Sequence, residues 1–288
     1  MERTALITGS SSGFGLLTAV TLAKRGWLVI ATMRDLSRRE KLEAAARAAG
    51  VLDRIEILPL DVTDNAQIAA LAARFAVREA PLAERAVHAV VNNAGFAVAG
   101  FAEDVSDAEL RRQFDTNFFA HAAVTRAFLP QLRRQGFGHI VMVSSISGRT
   151  GFPGVSSYVA SKFALEGWAE SLRMEMKPLG IQVALVEPGA FETGIWTTGT
   201  SMAERAGQPG SVNASRAQKL FEQVKGAKRP DPQMVADCIA RIVEDPRPKL
   251  RYVVGRDARI AVLLRALLPW RAFEWIILKS TLNHPALK

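Results

Sequence analysis

The chain has 288 residues, of which 49% are hydrophobic and 23% charged, which is ordinary for a soluble globular protein. Its single cysteine, Cys238, excludes an intramolecular disulfide framework and favours a reducing, cytoplasmic location. No stretch approaches the ~18 apolar residues of a spanning helix, and the scattered histidines lack metal-ligand spacing. We therefore expect neither a membrane span nor a metal centre.

The net charge of +9 is concentrated near the C-terminus. Residues 247–288 contain nine lysines and arginines but only two acidic residues, so the rest of the chain is close to neutral. The basic residues show no aromatic or recognition-helix context of the kind that nucleic-acid readers carry. We expect no nucleic-acid partner.

Short β-branched runs alternate along the chain with longer helical stretches, a pattern that indicates βαβ units. Most of the strands are nearly continuous apolar runs, as in parallel sheets covered on both faces. The fold class predicted is α/β, a Rossmann-type doubly wound parallel sheet with helices on both faces. The predicted strands are 3–8, 28–32, 55–60, 87–92, 139–144, 182–187 and 251–254. The predicted helices are 13–25, 37–49, 65–79, 107–134, 157–177, 231–244 and one or two within 259–282.

The alternation stops after residue 187. Residues 194–230 are rich in Gly, Ser, Thr and charge without clear periodicity, and a loop of this length is commonly a functional lid. We predict one nucleotide-binding catalytic domain over residues 1–245, with 194–230 as its substrate lid. A basic amphipathic extension over 246–288 follows it.

A glycine-rich turn lies between the first strand and the first helix. A dinucleotide pyrophosphate needs a tight turn, close backbone approach and the free N–H groups of a helix N-terminus. An ordinary Ser/Gly turn is the alternative, but the position between strand and helix favours a nucleotide site. The predicted cofactor contacts in this segment are Gly9, Ser11, Ser12, Gly13, Phe14 and Gly15.

The end of the second strand predicts which cofactor is bound. NAD needs a carboxylate there for the ribose 2′-hydroxyl, whereas NADP needs a cation for the 2′-phosphate. If Met33 occupies the carboxylate's place, Arg34 faces the phosphate with its planar guanidinium. A shift of one residue would instead make Asp35 an NAD-type acid. The sequence favours NADP(H), with NAD(H) as the alternative.

Polar or small residues also follow the third and fourth strands. Carboxyl ends of strands share the edge where open α/β sheets bind ligands, so we predict cofactor contacts there too. These residues are Asp61, Val62, Asn93, Ala94 and Gly95.

Ser145 follows the fifth predicted strand, and Tyr158 and Lys162 lie beyond it, four residues apart. Residues i and i+4 share a helix face, so Tyr158 and Lys162 can reach the same pocket. A free phenol has a pKa of ~10, and a nearby ammonium with an oxidised nicotinamide would lower it. We predict that Tyr158 exchanges the substrate proton and that Ser145 holds the substrate oxygen. The alternative is a surface tyrosine beside a solvated lysine.

Together, TGSSSGFG, NNAG, Asn117, Ser145, YVASK and Pro188-Gly189 resemble the classical short-chain dehydrogenase/reductase family over roughly residues 3–245. The resemblance implies a catalytic tetrad of Asn117, Ser145, Tyr158 and Lys162. In it Asn117 bends its helix so that an ordered water serves as a proton relay, and Lys162 and Tyr158 also contact the cofactor. It further implies homodimers or homotetramers formed through helices 107–134 and 157–177. The residues implied to hold the nicotinamide and nearby phosphate are Pro188, Gly189, Phe191 and Thr193.

The run Ala-Thr-Met-Arg-Asp and the C-terminal extension are similar to 17β-hydroxysteroid and retinol dehydrogenase-like members, which implies a bulky apolar alcohol or ketone. The extension itself can cover a pocket, pack in a dimer or lie on an anionic membrane surface. The predicted apolar pocket wall consists of Phe96, Val98, Ser147, Phe152, Trp196 and Met202.

Three other functions are less consistent with the sequence. A non-enzymatic NADP(H) sensor would be expected to lack Tyr158 or Lys162, and both are present. An α/β hydrolase should show a Gly-x-Ser-x-Gly elbow, which does not occur. An epimerase or dehydratase of the extended type has a different glycine spacing and usually a larger second domain.

Overall fold

The computed structural model describes residues 2–75, 86–193, 199–208, 211–226 and 229–281. Its main sheet has seven parallel strands in the order β3-β2-β1-β4-β6-β7-β9. The predicted Rossmann-type fold is confirmed. The strands of this sheet are β1 (Thr4–Ile7), β2 (Leu28–Met33), β3 (Ile55–Pro59), β4 (Val87–Asn92), β6 (Gly138–Val143), β7 (Ile181–Pro188) and β9 (Arg251–Val254).

Helices cover both faces of the sheet, which explains the continuous apolar strands. Along β1, Ile7 belongs to one core with α1 and α8, whereas Leu6 belongs to the opposite core with α3, α5 and α6. The order of the strands reverses between β1 and β4, so the crevice that binds ligands in such folds opens at their carboxyl ends. The helices are α1 (Gly13–Lys24), α2 (Glu40–Ala48), α3 (Asn65–Arg74), α4 (Asp107–Phe114), α5 (Ala120–Gln135), α6 (Ser156–Met176), α7 (Ala214–Gly226), α8 (Gln233–Glu244), α9 (Arg256–Leu267) and α10 (Trp270–Thr281).

The long helix predicted over 107–134 is interrupted. A π-helical turn over Asp115–Phe119 separates α4 from α5 and contains Asn117. A capping box formed by Ser106 and Glu109 starts α4. Pro130 lies inside α5 and does not end it. The break in the predicted helix occurs at the π-turn.

The predicted lid contains regular structure that its sequence did not indicate. Strand β8 (Thr200–Met202) pairs with β5 (Ala97–Ala99) in a second, two-stranded sheet, and α7 follows. Helix α7 packs through Ala217, which is buried, and Leu220, which is half-buried, while Arg216, Gln218 and Lys219 face solvent.

The C-terminal extension begins within the sheet. Strand β9 pairs with β7 beyond residue 245, so the strand completes the main sheet before α9 and α10, which are separated at Pro269. Across the described parts of the chain, no helix has the length and apolarity to cross a bilayer. The same residues contain no group of three or more side chains arranged to hold a metal ion.

Candidate active site

The glycine-rich turn is fixed against the end of β4. Asn93 donates its side-chain amide to the carbonyl oxygens of Thr8 (2.9 Å) and Gly9 (3.1 Å). The backbone N–H groups of Asn93 and Ala94 donate to the Thr8 hydroxyl. A Cβ at Gly15 would lie 2.3 Å from the Gly9 carbonyl oxygen, so only glycine allows this approach of helix to turn.

A cavity of about 600 Å³ opens over this turn. The cofactor contacts predicted at the first four strand ends all line this cavity, with the exception of Gly15. Gly15 packs against the turn from the side away from the cavity. Its size, its glycine backbone and its position at the strand ends fit a dinucleotide. The predicted residues that line it are Gly9, Ser11, Ser12, Gly13, Phe14, Arg34, Asp61, Val62, Asn93, Ala94 and Gly95.

The edge of this cavity beside β2 carries two cations. Met33 ends β2, and Arg34, Asp35 and Arg38 line the cavity after it. The Asp35 carboxylate accepts a hydrogen bond from Ser37 N–H at 2.9 Å, capping a short helical turn. That bond and the nearby arginines lower the pKa of Asp35. Arg38 adds a cation that sequence reasoning missed.

The predicted catalytic side chains come together behind the cavity. Ser145 follows β6, and Tyr158 and Lys162 lie on one face of α6. Tyr158 is hydrogen-bonded to Ser145, and the Lys162 ammonium lies 5.7 Å from the centre of the Tyr158 ring. Lys162 also donates to the Val143 carbonyl oxygen at 2.8 Å.

Burial dominates the electrostatics of this group. It raises the pKa of Tyr158, and the hydrogen bond from Ser145 acts in the opposite direction. Burial lowers the pKa of Lys162 to about 7. The pKa of Tyr158 is therefore raised, whereas the sequence predicted that it would be lowered. A lowered pKa would require positive charge both on Lys162 and on an oxidised nicotinamide.

Asn117 is held by backbone rather than by the other predicted catalytic residues. Its side chain accepts from Phe96 N–H at 3.1 Å and donates to the Phe96 carbonyl oxygen at 3.0 Å. A longer contact of 3.4 Å reaches the hydroxyl of Ser161, next to Lys162. The π-turn is the bend that the resemblance implied at this residue.

A second cavity of about 320 Å³ begins at Ser145 and Tyr158. Its lining is mostly apolar and includes the predicted pocket residues Ser147, Phe152 and Met202. Phe14, Thr193 and Thr200 line both cavities, so the two meet there. Pro188, Gly189 and Phe191 line the second cavity, with the Phe191 ring edge-on to Phe14 at 5.9 Å.

Two predicted pocket residues lie elsewhere. Phe96 lines the first cavity, with the Arg112 guanidinium 5.3 Å from its ring centre. Val98 is fully buried in a small core with Ala203 and Ala206, because its position in β5 points it away from the cavity. Trp196 lies outside the described residues.

His121, one of the scattered histidines without metal-ligand spacing, is a buried neighbour of the site. Its Nε2 is 2.7 Å from the Ala94 carbonyl oxygen. Burial first, and the charge of Lys162 second, lower its pKa to about 3, so it is neutral near pH 7. Its position one helical turn after Asn117 was the available sequence signal.

A partly buried cluster of charges lies against α6, the helix that carries Tyr158 and Lys162. Arg251 of β9 pairs with Glu166 and Glu170 of α6 and with Glu187 of β7, at 2.8 Å for the last. Arg149 also reaches Glu187 at 3.2 Å. Burial nevertheless raises the pKa of Glu187. This cluster ties the helix that carries Tyr158 to the strand that precedes Pro188.

The site combines two features. A glycine-rich turn joins a strand to a helix where the strand order reverses, and a group of Ser, Tyr and Lys lies beside it. This combination defines a class of site, that of the nucleotide-dependent oxidoreductases. The family model described as short chain dehydrogenase matches residues 3–204. The chain belongs to the short-chain dehydrogenase family and is an oxidoreductase.

Two curated relatives resemble nearly the whole chain. An uncharacterized oxidoreductase, YusZ of Bacillus subtilis, is 43% identical over 97% of this chain and 98% of its own. Human retinol dehydrogenase 8 is 38% identical over 86% of this chain and 80% of its own. The retinol dehydrogenase-like resemblance is thereby confirmed.

Solved structures agree on the fold. A short-chain dehydrogenase from Streptomyces avermitilis matches with a TM-score of 0.78 and 33% identity over 97% of this chain and 98% of that one. A metagenomic short-chain oxidoreductase in complex with NADP has a TM-score of 0.66 and 25% identity, covering 88% and 96%. A short chain dehydrogenase/reductase from Burkholderia phymatum in complex with NAD has a TM-score of 0.76 and 25% identity, covering 99% and 97%.

Proposed function

We propose that this protein is an NADP(H)-dependent alcohol dehydrogenase or carbonyl reductase acting on a bulky apolar substrate. The observation that carries the proposal is that Ser145 and Tyr158, with Lys162 beside Tyr158, stand at an apolar cavity that adjoins a dinucleotide-sized one. A bound nicotinamide would supply or accept the hydride. Every other step falls to side chains of this chain.

Tyr158 exchanges the proton. With its pKa raised by burial, the phenol is protonated near pH 7 and suited to donate to a carbonyl oxygen during reduction. In the oxidation direction it accepts the alcohol proton, which requires positive charge nearby. Ser145, already hydrogen-bonded to Tyr158, orients the substrate oxygen. Lys162 holds the cofactor ribose and favours the phenolate, and Asn117 maintains the bend that lets a proton reach Lys162.

NADP(H) is favoured over NAD(H) by charge at the β2 edge. Arg34 and Arg38 both line the cavity there, and a planar guanidinium suits a 2′-phosphate. Asp35 already accepts a hydrogen bond from Ser37 as a cap. Met33, at the end of the strand, offers no carboxylate to a ribose.

The substrate is an alcohol or ketone with an apolar body, of the size class of a steroid, a retinoid or an aryl ketone. Apart from the carboxylate of Asp257, the side chains that line the second cavity in the described residues are uncharged. Phe152, Met202 and Leu220 supply apolar walls, and Thr281 of α10 closes part of the cavity. The C-terminal extension therefore serves as pocket cover.

The helices α4, α5 and α6 are proposed to form a homodimer or homotetramer. Apolar side chains that a monomer leaves in water lie on α6, such as Phe163 (46% exposed), and on the π-turn between α4 and α5, where Phe119 is 56% exposed. Sedimentation of the wild type should give a dimer or tetramer. Replacing the exposed Met174 of α6 by glutamate should shift the distribution to smaller species; monomeric wild type would contradict the proposal.

The C-terminal extension is also proposed to contact anionic membrane surfaces peripherally. Leu267 (70% exposed) and Trp270 (51% exposed) face solvent at the junction of α9 and α10. The Arg265 guanidinium lies 5.1 Å from the Trp270 ring centre, and Lys279 lies similarly against Trp275. Exposed apolar residues beside cations suit an anionic bilayer. The protein should sediment with phosphatidylserine vesicles but not phosphatidylcholine vesicles, and Leu267→Glu should abolish this. The cytoplasmic location stays a prediction.

The decisive experiment measures NADPH and NADH oxidation against steroid, retinoid and aryl ketones, with Tyr158→Phe as the matched variant. Wild type should turn over at least one bulky ketone with NADPH, and Tyr158→Phe should lose about 10³-fold or more of kcat while still binding NADPH. Retained turnover in the variant would refute the mechanism. Tight NADPH binding without turnover of any substrate would favour a non-enzymatic sensor.

A further inference from the structure

The second cavity contains one ionisable side chain that the proposed chemistry does not use. Asp257 lies in the first turn of α9 and lines the cavity together with Ser145 and Tyr158. Among the described residues that line it, Asp257 alone is charged. Asp257 remains exposed to solvent, so it presents a negative charge at the solvent-accessible side of a cavity whose other described walls are uncharged.

The carboxylate is fixed in place by backbone on two sides. Its Oδ2 accepts a hydrogen bond from Ala190 N–H at 2.9 Å, in the segment that follows Pro188. A Cβ at Gly189 would lie 2.3 Å from Oδ2, and a Cβ at Gly255 would lie 2.6 Å from Oδ1. Two glycines therefore leave room for this one carboxylate beside the segment expected to hold the nicotinamide.

A purely structural role explains part of this arrangement. An acidic residue in the first turn of a helix is stabilised by the helix dipole, and the bond to Ala190 ties α9 to the loop. An asparagine would preserve that bond, because its amide oxygen accepts in the same way. What an asparagine would lack is the negative charge toward the cavity.

We propose that Asp257 is a specificity-determining residue that rejects anionic substrates and favours substrates bearing a hydrogen-bond donor, such as a hydroxyl or an ammonium group. This inference rests on the proposed function and narrows its substrate class. Although Asp257 remains exposed to solvent, the cavity that it lines is otherwise uncharged, so its carboxylate repels an anionic group on a bound substrate, and a repulsive element is an ordinary means of selectivity. Oδ1, which the Ala190 bond leaves available, is the atom that would accept from a donor.

The test compares wild type, Asp257→Asn and Glu274→Gln on three aryl ketones of one skeleton. One ketone is neutral, one bears a carboxylate and one bears a primary amine. Glu274 is the control because it is an exposed acid of the same extension that does not line the cavity. The readout is the ratio of kcat/KM for each charged ketone to that for the neutral one.

In Asp257→Asn the ratio for the carboxylate ketone should rise at least about 10-fold and the ratio for the amine ketone should fall about 10-fold. Glu274→Gln should leave both ratios unchanged. Ratios in Asp257→Asn that stay within about twofold of wild type would overturn the proposal and leave Asp257 a structural tie.

A binding measurement keeps this result separate from the proposed chemistry. The three ketones are titrated into the protein with NADPH present, and tryptophan fluorescence gives dissociation constants without turnover. If no ketone is reduced but the binding ratios shift as stated, the oxidoreductase proposal fails and Asp257 retains its role. If wild type binds none of the three, or binds the carboxylate ketone as tightly as the neutral one, the Asp257 proposal is wrong.

Discussion

The two cavities that meet at Phe14 differ in what holds their walls in place. The first contains the glycine-rich turn, whose main chain is fixed by hydrogen bonds from Asn93 and by close contacts at Gly15. The second is lined by side chains from the lid, from α6 and from the C-terminal extension. The first cavity is therefore the fixed half of the site, because a change there must move the main chain. The second cavity is the adaptable half, because it can be altered one side chain at a time.

This difference indicates how one fold can keep a cofactor and vary its substrate. Backbone contacts tolerate almost no substitution, because any Cβ displaces the main chain itself. A wall of side chains accepts new residues at the cost of local repacking. The segments that enclose the second cavity lie far apart in sequence, from Phe14 to Thr281.

The largest effect, on the affinity for NADPH, is expected from a substitution that moves the glycine-rich turn of the fixed half. Gly15→Ala places a Cβ 2.3 Å from the Gly9 carbonyl oxygen and 2.5 Å from the Asn93 amide nitrogen. Because the turn must move, NADPH affinity should fall about 100-fold or more. Gly167→Ala is the control, since a Cβ there meets nothing within 4 Å. Isothermal titration of NADPH measures both, and near-wild-type affinity in Gly15→Ala would show that the turn is not rigid.

The same difference explains what the sequence could predict. The glycine turn, the strand-end residues and the Tyr158–Lys162 pair are local patterns whose spacing determines their geometry, and they lie where their motifs predicted. The pocket wall was harder to predict because its residues come from distant segments. Val98 is apolar and near the site in sequence, but the pairing of β5 with β8 turns it into a core.

Arg38 and Asp257 escaped sequence reasoning for related reasons. Arg38 lies in a short helical turn that brings it back beside Arg34, and the cap at Asp35 that starts this turn was interpreted only as a competing acid. Asp257 lies 68 residues after Gly189 in the chain, and only the pairing of β9 with β7 brings them together. A local turn therefore placed Arg38, whereas long-range strand pairing placed Asp257, as it placed Val98.

A smaller effect is expected at the polar rim of the first cavity. Arg34→Ala and Arg38→Ala should each raise KM for NADPH about 10- to 100-fold, as expected for loss of a charge-assisted hydrogen bond. KM for NADH should change less than about twofold. Arg39→Ala is the control, because Arg39 pairs with Glu43 and does not line the cavity. Equal losses with both cofactors would show that these arginines do not read the 2′-phosphate.

Lys162, which is buried beside Tyr158, is expected to reduce the stability of the protein in return for its function. Burial lowers its pKa to about 7 from 10.5. The unfolded chain therefore binds more protons between those values, so stability rises as pH increases through this window. The burial penalty is complete below pH 7, where the ammonium is charged in both states.

Lys162→Met should therefore stabilise the cofactor-free protein by about 2 kcal/mol at pH 6, after allowing for the lost bond to the Val143 carbonyl. The gain should shrink toward pH 10 while activity is lost at every pH. Urea unfolding across this range measures it, with the exposed Lys24→Met as control. A variant less stable than wild type at pH 6 would mean that Lys162 is not strained by burial.

The smallest effect is expected in the adaptable half. Leu220 of α7 lines the second cavity, and its side chain lies where a Cβ at Gly154 would meet it at 2.5 Å. Leu220→Ala should raise KM for a bulky ketone about 10-fold, the scale of losing one or two methylene contacts, and leave KM for NADPH unchanged. Lys219→Ala, on the exposed side of the same helix, is the control. If Leu220→Ala weakened NADPH as much as the ketone, the two cavities would be one coupled unit, and the division between a fixed half and an adaptable half would not hold.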